Sequence, residues 1–290
     1  VVFISGVARG QGREHAVRFA AEGARIIGID RCADMPNTPY PLASEEDLAE
    51  TVRRVEEVGG AIHAEVADVR DLPALRDAVR AGMEKFGRLD VIVANAGTYS
   101  PGPVQWLTSE AWDETIGVNL TGVFNTVRAG LRRMIEQDRG GAIVITSSTA
   151  GLRGMYGSPA YNASKHGVVG FMRSLALEVA PHRIRVNTVH PTSVSTPMIL
   201  NDVFPRLVRP VDVRRSARAR ARRPGHRPGP PGRADPAGRR PFVGGPGDRL
   251  RTPPRGAPRR RPHLDALDAG VDLALRPLRR RTPAGGVRAR

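Results

Sequence analysis

With 290 residues, 40% of them hydrophobic, the chain can bury the core of one or two domains. Its one cysteine, Cys32, excludes an internal disulfide and fits a reducing, cytoplasmic compartment, and no apolar run reaches the roughly 18 residues of a membrane-spanning helix. The formal charge of +16 does not make a nucleic-acid binder of the whole chain, because residues 1–205 carry 21 Lys or Arg against 23 Asp or Glu while residues 206–290 carry 24 Arg against 6 Asp.

Through about residue 200, short β-branched runs alternate with longer amphipathic stretches. Strands are expected at 1–5, 25–30, 61–66, 89–94, 142–146 and 183–189, and helices at 11–21, 45–58, 72–86, 110–135 and 159–180. Ser44-Glu45-Glu46-Asp47 has the form of a capping box, and Gly59-Gly60 closes the helix it opens. Strands rich in Val and Ile, each followed by a helix, predict an α/β architecture: a Rossmann-like, doubly wound parallel sheet with helices on both faces. Beyond about residue 205 the rhythm stops, 14 of the 25 prolines gather, and Glu and Lys disappear. The expected organisation is a domain over 1–205 and an Arg/Pro/Gly-rich, disordered tail over 206–290.

Between the first expected strand and helix stands SGVARGQG, where such a sheet places its phosphate loop. Gly6 permits a tight turn, Gly10 lets backbone approach a pyrophosphate, and Gly12 lets helix and strand pack closely. A glycine triplet alone is equally a plain loop. Further on, Tyr161 and Lys165 are four residues apart in an expected helix and project from one face. A phenol, with a reference pKa of about 10, becomes a useful acid or base when a neighbouring ammonium stabilises its phenolate. Ser148 ends the strand AIVITSS, where a hydroxyl can hold a substrate oxygen, and Asn119 in VNLTG can position a water beside the lysine. Singly, these are more often a surface pair, a turn or cap serine and a backbone-bonded asparagine; their joint order after the glycine loop is what points to chemistry.

Those residues, with Asp68 in ADV, ANAG at 94–97 and HPTSVSTPM at 190–198, resemble the short-chain dehydrogenases/reductases over roughly residues 1–202. The long segment DRCADMPNTPYPLASEEDLAETVRRVEEVGG and GLRGMYG are similar to the mycofactocin-associated, carveol-dehydrogenase-like group. That resemblance implies oxidation of secondary alcohols with a tightly held NAD, and usually a homo-tetramer. It implies Tyr161 as general acid/base, Ser148 orienting the reacting oxygen, Lys165 binding the nicotinamide ribose and lowering the tyrosine pKa, and Asn119 completing a proton relay. It further implies adenine contacts from Asp68 and Val69, a cofactor cleft lined by Arg9, Gln11, Asn95, Ala96, Gly97 and Pro191, and a carboxamide contact from Thr196. Ser5, Ala94 and Thr192 depart from the family pattern, and none of them removes a catalytic group.

Asp30 ends the second expected strand, where a carboxylate accepts ribose hydroxyls and repels a 2′-phosphate. At about 4 Å and an effective dielectric near 20, two like charges cost on the order of 4 kcal/mol. Arg9 and Arg31 argue for the phosphate, but each can pair with Asp30, so NAD is expected over NADP. Tyr99, Trp106, Met155, Tyr156, Met198 and Ile199 are expected to meet a hydrophobic alcohol or ketone, although any one aromatic is equally a packing residue. Scattered histidines predict no metal site, and His166 and His190 are read as structural. For the tail, a reading-frame slip near residues 203–210, tested by sequencing the source DNA, stands beside a salt-sensitive nucleic-acid-binding arm, tested by deleting 206–290. A dehydrogenase that binds cofactor but turns over poorly is the third reading.

Overall fold

Val2, Phe3 and Ile4 are each no more than 2% exposed, so the first strand is covered on both faces, as a central parallel strand must be. In the computed structural model, which describes residues 1–201, the strands are β1 (Val2–Ser5), β2 (Arg25–Asp30), β3 (Ala61–Val66), β4 (Val91–Ala94), β5 (Gly141–Thr146) and β6 (Ile184–Val189). They form one parallel sheet in the order β3-β2-β1-β4-β5-β6, with Ile4 opposite Gly28 and Val2 opposite Val91. Chain order reverses between β1 and β4, and the crevice at the carboxyl ends of those strands is where an open α/β sheet binds its ligand. The expected doubly wound sheet is the one observed, with strand ends shifted by a residue or two. The expected tail at 206–290, and residues 202–205 of the expected domain, lie outside the described residues.

The helices are α1 (Gly10–Ala21), α2 (Glu45–Glu57), α3 (Leu72–Phe86), α4 (Ser109–Ile116), α5 (Gly122–Glu136) and α6 (Pro159–Val179). Alternation along β1 sends Val2 and Ile4 into a cluster with Ala16 and Ala20 of α1 and Val55 of α2. Phe3 joins the larger cluster with Leu75 of α3, Val127 and Met134 of α5, and Leu175 of α6. The capping box opens α2 as its sequence predicts: Ser44 Oγ accepts from the Asp47 N–H, and Asp47 Oδ2 accepts from the Ser44 N–H, each at 3.2 Å. Asp71 caps α3, and Gly87, in the left-handed region at φ +80°, ends it. Among the described residues no helix is long and apolar enough to cross a membrane.

One element differs from expectation. In place of a single helix over 110–135, a π-helical turn at Gly117–Thr121 separates α4 from α5. A Cβ on Gly122 would stand 2.5 Å from Val69 Cγ2, so the helix passes the β3–α3 loop closely only because this position is glycine. Turns of this kind recur at functional sites, and this one carries Asn119, which is fully buried.

Candidate active site

The chain leaves β1 through the glycine loop. Gly6 and Gly10 adopt φ of +71° and +58°, which side chains rarely tolerate, and a Cβ on Gly6 would press to 2.8 Å from Ala96 Cα. Gly12 lies in the first turn of α1, where a Cβ would fall 1.8 Å from the Gly6 carbonyl oxygen. The result is a bare backbone cradle at a helix N-terminus, the arrangement that receives a pyrophosphate. Across it, Asp30 Oδ2 accepts from the Ala8 N–H at 3.0 Å and Oδ1 from the Cys32 N–H at 3.3 Å. Burial pushes the Asp30 carboxyl above its ordinary value, opposed by those backbone donors. Cys32, at φ +53°, has its thiol pushed up to about 12 by burial and the Asp30 charge, so it is no nucleophile.

Neither arginine takes the partner the sequence suggests. Arg9 Nη2 donates to the Pro41 carbonyl at 2.5 Å, and Arg31 Nε pairs with Asp68 Oδ2 at 3.3 Å. Asp30 is instead held by the backbone N–H groups of Ala8 and Cys32 and lines the cleft. Burial alone would raise Asp68, but Arg70 and Arg31 hold it below the usual carboxylate range. Arg31 Nη1 is buried without a protein partner. A dinucleotide fits this set: a cradle with no room for Cβ atoms, an acceptor at the end of β2 and an unspent donor beside it.

At the other end of the cleft, Ser148 follows β5 in extended conformation and its Oγ accepts from the Ala150 N–H at 3.1 Å. Its hydroxyl also hydrogen-bonds the Tyr161 phenol. His190 braces the strand end: Nδ1 donates to the Ser148 carbonyl and Nε2 accepts from Thr188 Oγ1, both at 2.9 Å. Tyr161 and Lys165 lie one turn apart in α6, with Lys165 Nζ 5.6 Å from the centre of the tyrosine ring and donating to the Thr146 carbonyl at 2.8 Å. Burial drops the Lys165 ammonium to about 8. The phenol moves opposite to the sequence expectation: burial pushes Tyr161 up to about 12, with the Ser148 hydrogen bond the one contribution that lowers it. Tyr99 stands edge-on to Tyr161 at 5.1 Å. The Asn119 side chain is bound to protein groups through both its polar atoms. Its Oδ1 accepts from the Thr98 N–H and its Nδ2 donates to the Thr98 carbonyl, both at 2.8 Å, and Nδ2 also reaches Ser164 Oγ at 3.3 Å.

Gly6, Arg9, Gly10, Gln11, Asp30, Arg31, Asp68, Val69, Asn95, Ala96, Gly97, Pro191 and Thr196 line one cleft of about 200 Å³ together with Ser148, Tyr161 and Lys165. Gly12 and Asn119 stand behind its wall. Sequence reasoning missed Met35, Tyr40, Leu42 and Ala43, which the loop between β2 and α2 contributes to the same cleft. The buried apolar residues in that otherwise polar stretch were the available signal. Among the described residues no cluster of three His, Cys, Asp or Glu could hold a metal ion.

A family model described as short chain dehydrogenase matches residues 1–203. The chain belongs to the short-chain dehydrogenase family. This short-chain dehydrogenase is 51% identical over 208 residues to an uncharacterized oxidoreductase of Mycobacterium tuberculosis, covering 70% of this chain and 75% of the relative. It is 46% identical over 211 residues to (−)-trans-carveol dehydrogenase of Rhodococcus erythropolis, covering 72% and 76%. A crystal structure of carveol dehydrogenase from Mycobacterium avium in complex with NAD superposes with a TM-score of 0.71 at 50% identity, covering 72% of this chain and 76% of that one.

The expected substrate contacts of this short-chain dehydrogenase divide. Met198 and Ile199 line the cleft. Tyr99 is buried, its hydroxyl bound to Ser158 Oγ at 2.7 Å, so it packs against Tyr161 rather than facing the cleft. Trp106 and Tyr156 are each 73% exposed and Met155 is at the surface; none of the three lines the cleft among the described residues. Sequence places these side chains on loops at the correct sheet end but does not fix the direction in which a loop side chain points.

Proposed function

We propose that the protein interconverts a hydrophobic secondary alcohol and its ketone with NAD(H), through Ser148, Tyr161 and Lys165. The observation that carries this reading is the convergence of a hydroxyl, a phenol and a buried ammonium on the cleft that the glycine cradle opens. Gly6, Gly10 and Gln11 would hold the pyrophosphate, Asp30 the adenosine ribose, Asp68 and Val69 the adenine, and Lys165 and Thr196 the nicotinamide half. When bound, the nicotinamide supplies the hydride acceptor in oxidation and the donor in reduction.

For reduction, Tyr161 holds its proton at neutral pH as any phenol does, the more so for its burial, and Oη gives that proton to the carbonyl oxygen as it becomes an alkoxide. Ser148 Oγ–H donates to the same oxygen and fixes it at the phenol. The Lys165 charge stabilises the phenolate left behind. In oxidation Tyr161 acts as phenolate and takes the hydroxyl proton. Asn119 serves by pinning Thr98, which keeps Gly97 close beneath Lys165: a Cβ there would lie 3.3 Å from Asn119 Oδ1 and 3.6 Å from Lys165 Nζ. Met198, Ile199 and Val194 favour an apolar substrate, in keeping with the carveol dehydrogenase relative.

Asp30 disfavours a 2′-phosphate, and the apolar wall of Met35, Tyr40 and Leu42 supports a firmly retained nucleotide. Equilibrium titration, with a panel of cyclic secondary alcohols, tests the reading. NADH is expected to bind at least about tenfold more tightly than NADPH. Tighter NADPH binding, or no oxidation of any alcohol, contradicts it.

A further inference from the structure

Glu114 and Lys165 are the two buried charged side chains among the described residues, at 7% and 3% exposure. Lys165 belongs to the cleft; Glu114, in α4, does not line it. A carboxylate removed from water is costly unless its oxygens are hydrogen-bonded, so its partners identify why it is there. The hydrogen bonds to Glu114 come from the loop between β2 and α2: Oε2 accepts from the Asn37 N–H at 3.2 Å and from Asn37 Nδ2 at 3.1 Å, and Oε1 accepts from Thr38 Oγ1 at 3.0 Å.

That loop has no ladder of its own to hold it and is fastened through side chains. Thr38 Oγ1 meets Thr98 Oγ1 at 2.6 Å, Ser100 Oγ donates to the Asn37 carbonyl at 2.7 Å, and Tyr40 Oη accepts from the Tyr99 N–H at 3.1 Å. The same short stretch sends Met35, Tyr40 and Leu42 into the cleft wall. Glu114 therefore fixes, from outside the cleft, the segment that forms one of its walls.

We infer that Glu114 is a positioning residue that latches the β2–α2 loop through Asn37 and Thr38 and so sets the rate at which a nicotinamide dinucleotide leaves the cleft. This inference rests on the dinucleotide reading of the cleft. Breaking the latch frees the wall without touching Ser148, Tyr161, Lys165, Asp30 or the glycine cradle.

The test is the dissociation rate of NADH from the full chain, followed by loss of its protein-enhanced fluorescence after mixing with excess NAD, alongside the Tm of the free protein. Thr38→Val keeps the side-chain shape and deletes the hydroxyl. Glu114→Ala removes both acceptor oxygens, and Glu114→Gln retains one carbonyl for the Asn37 donors. Thr38→Val and Glu114→Ala are expected to speed release at least about tenfold, and Glu114→Gln by less, with the Tm of Thr38→Val lowered by no more than a few degrees, as the loss of a buried donor requires. Should Glu114→Ala fail to fold, Thr38→Val and Glu114→Gln decide the matter. Folded variants that release NADH at the parent rate overturn the latch. A parent chain that binds no nicotinamide nucleotide overturns instead the dinucleotide reading beneath it.

Discussion

Tyr161 and Lys165 share one face of α6, yet burial moves them in opposite senses, the phenol up to about 12 and the ammonium down to about 8. Both shifts disfavour the charged form. For Lys165 the folded value lies below the ordinary 10.5, so the unfolded chain binds more protons between about 8 and 10.5 and stability rises with pH across that window. Below pH 8 the full penalty, on the order of 3 kcal/mol, opposes folding. Lys165→Met removes it and forfeits the hydrogen bond to Thr146, worth about 1 kcal/mol. The variant is therefore expected to be more stable at pH 7 by about 1–2 kcal/mol while losing turnover, with the stability gain shrinking as pH approaches 10.5. Denaturant unfolding at several pH values checks this; a destabilised variant at pH 7 contradicts it. The identity of these residues was legible because four-residue spacing survives any helix. The sense of the tyrosine shift was not, because it depends on how Tyr40, Tyr99 and the other residues packed around the phenol exclude water, which no local pattern records.

At the scale of elements, the glycine loop sets helix propensity against packing. Replacing a helical glycine by alanine ordinarily gains about 1 kcal/mol. At Gly12 the added Cβ would fall 1.8 Å from a backbone carbonyl oxygen, which cannot yield without opening the cradle. Packing wins, so Gly12→Ala is expected to lower Tm and weaken NADH binding at least about tenfold in a fluorescence titration. An unchanged or tighter titration contradicts that reading of the loop. The α2 capping box was readable because local bonds make it. The π-helical turn was not: its apolar residues keep a helical pattern, and the close approach of Val69 to Gly122 just after it joins residues far apart in the chain. The β2–α2 loop escaped for a related reason, since its order comes from Glu114, Thr98 and Ser100, each more than 50 residues away in the chain.

For the molecule as a whole, the doubly wound parallel sheet and the phosphate loop after its first strand were legible in the sequence, because buried Val/Ile strands alternating with helices leave few architectures, whereas the strand order that puts β1 beside β4 came from the structure. The surplus of arginine lies beyond the described residues. The chemistry depends on three groups acting together on one oxygen, and it is tested by a single turnover of the full chain loaded with NADH and mixed with a hydrophobic cyclic ketone. The parent protein is expected to consume its NADH, read as loss of nicotinamide absorbance. Tyr161→Phe should bind NADH equally well yet react at least about a hundredfold more slowly. A Tyr161→Phe protein that reacts at the parent rate would remove the phenol from the reaction and contradict the account.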